Sequence, residues 1–441
     1  MLIFMDRERF SSLEKEYIKK IVKANLGNTR YGHLWDYYLG NHKILRYSKK
    51  NKSVPNNQIV NNIAKYITDT INGYFLGTPV IYNSLNEPFL AEIQKIYDYN
   101  DEQDHNMELA KGMSIFGSTF EMIYLDENAD VRFTVINPSD VILIKSTDLK
   151  DVLGAIRFIR SRDKNDREYL KIEYWNEKSV SYYLYKNDNL EFVDEREHYF
   201  GDVPFVEYIN NEERTGDYEG VITQIDAYNR VQSNTANMFQ YNDEALLIVK
   251  KLGDVSDKDI AQMKEDGAVI FPEDGDMSWL LKTVDDTAIE NYKKRIREDI
   301  HILSNVPNMA DESFAGNLSG VAISYKLWAF EQAVAIKERK FKKALQRRIE
   351  IITNILNIKG GNFNYMEIDP VFRRNKPQNI LETAQIISML QGTFSQETLL
   401  SMMPGVTDAR KEIEKLEKEK EKARSDFGIT NFVESIEHKH E

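Results

Sequence analysis

Hydrophobic positions recur every three or four residues at both ends of the chain and every second residue in its middle. The N-terminal third carries the helical period. Ser11 and Glu14 form a capping-box pair ahead of the apolar series Leu13, Tyr17, Ile21 and Ala24. "YGHLWDYYLG" is a short helix stopped by Gly40, and "KKNKSVPNNQ" (49–58) is a basic, polar loop. Ile59, Ile63, Tyr66, Ile67, Ile71 and Phe75 lie on one stripe of the next helix, which Gly77 and Pro79 end. A further helix is predicted over 86–115.

From about Thr119 the period changes to two. "FEMIYLD", "RFTVI", "DVILIK", "VLGAIRFIRS", "YLKIEYWN", "SVSYYLYK" and "LEFVDE" are short, aromatic and β-branched. Polar separators such as "DENAD", "RDKNDR", "NEKS" and "KNDN" stand between them. The order predicts an antiparallel meander rather than a βαβ array, with most of the tyrosines packing on the sheet.

After "DVPFVEYIN" the helical period returns with Val221, Ile225, Tyr228 and Val231, predicting a helix over 219–242. A compact piece follows at 243–284. "ALLIVKK" and "GAVIFP" read as strands and "SDKDIAQMKED" as a capped helix. A second helix is expected to start at Thr287, capped with Glu290, and to run through Ile289, Tyr292, Ile296, Ile300 and Leu303 before Pro307. A small α+β insert thus stands on two helical legs. The chain then passes through the polar loop "ADESFAGNLSGVAI", whose central residues are Glu312, Ser313, Phe314, Ala315, Gly316, Asn317 and Ser319. Gly316 and Gly320 free the backbone there, and Asn317 and Ser319 favour local turns. Helical spacing then runs from Ile323 to Leu356, so a helix from Val321 to Asn357 would be roughly 55 Å long. "NYMEIDPVFRRNKP" reads as a return strand. Three more helices follow, the last charged nearly all round.

The 441 residues suffice for two to four domains, and the fold class is α+β. No cysteine is present, which rules out disulfides and Cys-based zinc sites and fits an intracellular assembly site. No run of 18 apolar residues predicts a membrane span, and MLIFM is too short for a signal-peptide core. A net charge of −13 argues against a surface that grips nucleic acid throughout.

The catalytic inventory is nearly empty. No phosphate-cradling, HExxH or GxSxG motif occurs, and the glycines of "INGYFLGTP" and "IKGGN" lack a dinucleotide-loop setting, so no cofactor or metal is expected. His438 and His440 read as a solvated tail; Asp285 and Asp286 suit the positive end of the following helix. The most basic stretch, 337–348, contains Lys337, Arg339, Lys340, Lys343 and Arg347. It suits a contact with DNA or with an acidic neighbouring subunit, or a solvated face balanced by the acidic remainder. These features favour an assembly component over an enzyme. The rival is a metal-dependent nucleic-acid-processing enzyme, which would need an acidic cluster on a core strand with a nearby lysine, and none is identifiable.

Five segments together resemble the portal proteins of tailed phages, specifically the family of long-tailed phages of Gram-positive hosts. They are "YYLGNHKIL" (37–45), "NNIAKYITDTINGYFLGTP" (61–79), "IDAYNRVQS" (225–233), "GNLSGVAISYK" (316–326) and "GTFSQETLLSMMPGV" (392–406). The resemblance implies a portal-type subunit with wing, stem, clip and crown, joining long helices to an antiparallel β-rich wing. On that pattern 1–218 is the wing, 219–242 and 285–304 are stem helices and 243–284 is the clip. Residues 305–319 are the tunnel loop, 320–377 the long helix and return strand to the wing, and 378–441 a small crown. The function implied is a head–tail connector: a ring of about twelve copies, or thirteen in recombinant form, at one capsid vertex. Double-stranded DNA passes through it during packaging and ejection. The partners implied are terminase, a head-completion adaptor, and scaffolding and major capsid proteins, with no membrane. The location is the virion, after assembly in the host cytoplasm.

Overall fold

The computed structural model describes residues 2–11, 15–49, 55–149, 151–162, 164–243, 246–250, 258, 276–280, 286–310, 320–375, 380–403, 405–406 and 409–426. Strand β1 (Leu2–Met5) leads into helices α1 (Arg7–Ser11), α2 (Lys15–Leu26), α3 (Arg30–Leu39) and α4 (Ile63–Leu76). Ser11 does not open a helix. It closes α1, its hydroxyl donating to the Glu8 carbonyl at 2.7 Å, while Glu14 lies outside the described residues. Gly40 stops α3 as expected, at φ 88°, where its N–H reaches back to the Asp36 and Tyr37 carbonyls. Helix α4 starts at Ile63, four residues later than Ile59, because Asn62 caps it by accepting from the Lys65 N–H at 3.1 Å. Gly77 follows α4 where no side chain fits: an added Cβ would lie 2.2 Å from the Gly73 carbonyl.

The single helix expected over 86–115 is two, α5 (Glu87–Tyr99) and α6 (Glu102–Phe116), flanked by the short strand β2 (Ile81–Asn83). Asp101 takes φ 49° between them. The Asn100 amide donates to the Ile96 carbonyl at 2.7 Å and to the Val131 carbonyl at 2.9 Å. That side chain satisfies the end of α5 and fastens it to a strand, which ends the helix where apolar spacing alone would have continued it.

The seven strands read from the sequence all form: β3 (Ser118–Leu125), β4 (Val131–Ile136), β5 (Val141–Ser146), β6 (Val152–Arg162), β7 (Glu168–Trp175), β8 (Ser179–Lys186) and β9 (Asn189–Glu197). They belong to two sheets. β10 (Phe205–Ile209), from "DVPFVEYIN", pairs antiparallel with β3 to give the order β10-β3-β4. The other sheet has the order β1-β5-β6-β7-β8-β9; β5 to β9 form the meander, and β1 joins parallel to β5. Both faces of β5 are buried, which explains its unbroken "VILI". Val141 and Leu143 point into the main core, whereas Ile142 and Ile144 join a second core with Ile18, Ile21 and Val22 of α2. Phe10 pins α1 on this face, sitting close over Gly154.

After β10 come α7 (Ile222–Asp243), the strands β11 (Leu246–Lys250) and β12 (Asp276–Leu280), and α8 (Asp286–Ser304). β11 pairs antiparallel with β12, whose "DMSWL" carried no strand reading; "GAVIFP" and nearly all of "SDKDIAQMKED" lie outside the described residues. Thr287 sits inside the first turn of α8 instead of capping it. The long helix is interrupted near its start. α9 (Gly320–Lys326) and α10 (Trp328–Ile358) meet at Leu327, where φ −88° and ψ 0° depart from regular helix as Leu327 turns into the core. A 3-10 turn at Tyr365–Glu367 and the short strand β13 (Asp369–Val371), antiparallel to β2, make the return. A second compact unit comprises 318–322 and 376–441. Its helices are α11 (Ile380–Leu390), α12 (Gln396–Ser401) and α13 (Ala409–Asp426), with α12 capped by Ser395.

The main core gathers α3 to α6, the three-stranded sheet and α10 around the buried guanidinium of Arg348. Arg348 of α10 has no exposed surface. Its Nε donates to Glu121 Oε2 at 3.0 Å, its Nη2 lies 2.8 Å from Glu121 Oε1, and its Nη1 donates to Asn106 Oδ1 at 2.9 Å. Burial alone would push the Glu121 carboxyl up. The Arg348 charge and the His105 contact at 2.7 Å overrule it and hold the group at about 2. The guanidinium also lies over the rings of Phe133 and Tyr208, 4.8 and 5.7 Å from their centroids.

Replacing Arg348 with Met keeps the volume but leaves Glu121 ionised, buried and without its cation. Breaking a buried pair this way costs about 3–5 kcal/mol. Thermal unfolding of the purified variant should start well below that of the parent protein, and an unchanged midpoint would refute the role given to the pair.

Candidate functional site

The two legs meet the rest of the subunit through polar contacts that repeat along α7. The extended segment 57–61 runs beside this helix. The Asn57 N–H donates to Asn237 Oδ1 at 2.6 Å, the Ile59 N–H to Ser233 Oγ at 2.9 Å and the Asn61 N–H to Asn229 Oδ1 at 2.8 Å. The geometry explains the match. Four residues of helix rise about 6 Å, and two residues of extended chain advance about 6.6 Å. An Asn-x3-Ser-x3-Asn stripe therefore meets every second amide of a chain running the other way. These side chains are buried.

His42, fully buried, extends this ladder. Its Nε2 lies 2.9 Å from the Tyr37 carbonyl and its Nδ1 2.8 Å from the Asn229 amide nitrogen. A carbonyl can only accept and an amide nitrogen only donate, so the ring is neutral with its proton on Nε2. Burial, which lowers the His42 pKa, favours that form. Nearby, the Tyr37 hydroxyl donates to Asp226 at 2.6 Å, adding a bond between α3 and α7.

Helix α4 contacts the chain just after α8 and again at the start of α10. On the entry side, Asn305 turns the chain with φ 56°, and Val306 is buried. The Tyr66 hydroxyl donates to the Pro307 carbonyl at 3.1 Å and accepts from the Met309 N–H at 3.0 Å. The Tyr66 ring meets His301 of α8 edge-on, 5.8 Å between centroids. On the exit side, the Tyr74 ring packs 4.7 Å from Phe330, and its hydroxyl bonds Glu331. Tyr66 and Tyr74 are two turns apart on one helix, about 12 Å along its axis. One rigid element thus contacts both the segment after α8 and the start of α10. The loop residues Glu312, Ser313, Phe314, Ala315, Gly316, Asn317 and Ser319 lie outside the described residues.

The basic stretch of α10 is largely neutralised within the subunit. Lys337 is buried; its amine bonds Ser114 and lies 2.8 Å from Asp217, and burial lowers its pKa. A contact with DNA or a neighbour is therefore closed to this residue. Lys340 pairs with Glu212 at 2.5 Å, and Arg347 with Asp202 at 2.5 Å and Glu350 at 2.8 Å. Arg339 and Lys343 are exposed and make no ion pair among the described residues. Lys340, Lys343 and Arg347 line a groove of about 1110 Å³ beside Lys145 and Arg214, which both pair with Glu207. Asp286 opens α8 as expected, while Asp285, His438 and His440 lie outside the described residues.

Among the described residues no group of three or more His, Cys, Asp or Glu is arranged to hold a metal ion, and no helix is long and apolar enough to cross a membrane. The residues most telling for the loop and legs were Tyr66, Tyr74, Asn229, Ser233 and Asn237. The four-residue spacing of "NRVQSNTAN" was the available signal for the ladder: polar side chains on the same helical face as Ile225.

Comparison with known proteins bears on this arrangement. The profile of the family described as phage portal protein, SPP1 Gp6-like, matches residues 18–426. The portal protein of Bacillus phage SPP1 is 24% identical over 378 residues, covering 80% of this chain and 74% of that protein. The portal protein of Clostridium phage phiCD119 is 25% identical over 468 aligned positions, covering 96% of this chain and all of that protein.

Replacing Asn229 with Ala removes the acceptor for the Asn61 N–H and the donor to His42. Leaving buried polar groups unpaired costs about 1–3 kcal/mol each. Limited proteolysis should cut the variant faster within 49–62 than the parent protein, and equal cutting rates would show that the ladder does not hold this segment.

Proposed function

This chain belongs to the SPP1 Gp6-like family of phage portal proteins, and from that premise we propose how its parts serve a portal. Portal function places it at the head–tail connection of a virion. We assign 1–218 to a wing, α7 and α8 to a stem, and 243–284 to a clip. Residues 305–319 form a tunnel loop, 320–377 carry the long helix and return strand to the wing, and 378–441 form a small crown. The observation that supports this assignment is the pair of packed legs bracketing the antiparallel β11–β12 pair, with α4 contacting the chain both after α8 and at the start of α10.

In this reading about twelve subunits close into a ring. DNA passes the loops on its way in and out. Terminase docks at the clip during packaging and a head-completion adaptor docks there later; scaffolding and major capsid proteins contact the outer parts. Assembly takes place in the host cytoplasm. ATP hydrolysis belongs to the motor, and the subunit contributes structure, not catalysis. The surface favours the ring. Ile302 (69% exposed), Tyr325 (77%) and Trp328 (64%) leave large apolar groups in water near the legs, which a neighbouring copy would cover. With most α10 cations paired internally, few remain to hold phosphates, which suits DNA that must slide.

Two outcomes test this. Native mass spectrometry of the parent protein should give about twelve or thirteen copies, and Trp328→Glu should shift the population toward monomer; a parent protein monomeric at every salt concentration would end the ring assignment. Replacing Gly316 and Gly320 with Val should leave rings intact but slow DNA packaging into heads. Full heads at the normal rate would reduce the loop to a connector.

A further inference from the structure

With the His105 ring neutral, the groups around Arg348 do not balance in charge if both carboxyls ionise. Two carboxylates, Glu102 and Glu121, face one guanidinium, and the side chains of all three are buried to within 2% of their surface. An uncompensated negative charge in so dry a place is costly, and one bound proton removes it.

The hydrogen bonds distinguish the two carboxyls. Both oxygens of Glu121 have hydrogen-bond partners: His105 Nε2 serves Oε1, where Arg348 Nη2 adds only an ion-pair contact at 2.8 Å, while the Tyr208 hydroxyl at 2.8 Å and Arg348 Nε serve Oε2. At Glu102 every donor converges on Oε1: the Tyr82 hydroxyl, the Asn106 amide, and Arg348 Nη1 at 3.4 Å. Glu102 Oε2 is buried and has no partner. A carboxylate spreads its charge over both oxygens and needs donors at each. A carboxylic acid has one carbonyl oxygen that accepts and one hydroxyl oxygen that does not require a donor. The acid leaves its own Oε2 hydroxyl without an acceptor, but an unpartnered neutral hydroxyl costs less than an unpartnered anionic oxygen, so the pattern favours the acid.

We infer that Glu102 is a buried proton-binding site, carrying a proton on Oε2 in the folded subunit at neutral pH and so holding α10 in its seat. In this state Arg348 and Glu121 form one neutral ion pair, and Glu102 adds an uncharged acceptor. In the neutral tautomer that carries its proton on Nε2, His105 donates to Glu121. The site is enclosed by Tyr82 of β2, Tyr97 of α5, His105 and Asn106 of α6, Glu121 of β3, Tyr208 of β10 and Arg348 of α10, which are the titratable or polar groups that hydrogen bonds, ion pairs and ring contacts place around it among the described residues. Loss of the proton would give the site a net negative charge and make two carboxylates compete for one guanidinium. Burial pushes the Glu102 pKa up, consistent with the geometry.

The sign follows from linkage. A group whose folded pKa exceeds its ordinary 4.5 stabilises the fold fully below that value, and the contribution is lost as pH rises toward the folded pKa. Glu102→Gln mimics the acid permanently. The purified full-length variant should melt with the parent protein near pH 4.5. It should become the more stable of the two as pH rises from about 5 to 8. Glu121→Gln should do the reverse, melting lower at neutral pH and converging in acid. Infrared spectroscopy of the parent protein at pH 7 should show the carbonyl stretch of a protonated carboxylic acid, shifted by 13C-glutamate labelling. That measurement stands even where a variant fails to fold. Absence of the band, or a Glu102→Gln variant as destabilised as Glu121→Gln at neutral pH, would overturn the inference.

Discussion

A guanidinium without any contact with water is the constraint around which the larger core is arranged. Arg348 sits in the second half of α10, and its charge can be buried only if a carboxylate is delivered to it with good geometry. Glu121 comes from β3, Asn106 and His105 from α6, and Tyr208 from β10. The three-stranded sheet and the long helix therefore cannot shift relative to α6 without exposing an ion to an apolar interior. Removing one partner is far more damaging than the modest net gain of forming the pair would imply, so the network specifies geometry more than it adds stability.

With α10 fixed in this way, α4 ties its start to the end of α8. Tyr74 takes the start of α10 and Tyr66 takes the end of α8 and the segment after it, so both refer to one helix. The amide ladder on α7 does the same for the first leg. In each case the anchor is a directional bond to a backbone group, which sets position along an element in a way that apolar contact alone does not.

Charge follows the same economy of position. The chain is acidic by 13 units, yet its most basic helix is not a free positive surface. Lys337, Lys340, Arg347 and Arg348 each meet carboxylates of the same subunit, and Arg374 ties the return segment back to Glu331 at 2.9 Å. The basic run in the sequence marks where α10 crosses acidic groups brought from distant parts of the chain.

Much of this was legible from the residue pattern. Strong local signals named the elements: the period of two from β3 to β9, the glycine after α3, the apolar spacing of α4 and α10, and the helical legs on either side of an insert. These succeeded because backbone geometry makes side-chain period a local property. The family resemblance, carried by five short segments, agreed with the profile match across most of the chain. Tertiary structure alone decided what local pattern cannot encode. Asn100 split a helix because its amide found a strand carbonyl 31 residues away. β1 became a strand because β5 offered it a parallel edge. Lys337 and Arg348 were read as surface charge, since nothing near them in sequence announces Asp217, 120 residues away, or Glu121, 227 residues away. A buried charge takes its meaning from its partner, and the partner is chosen by the fold.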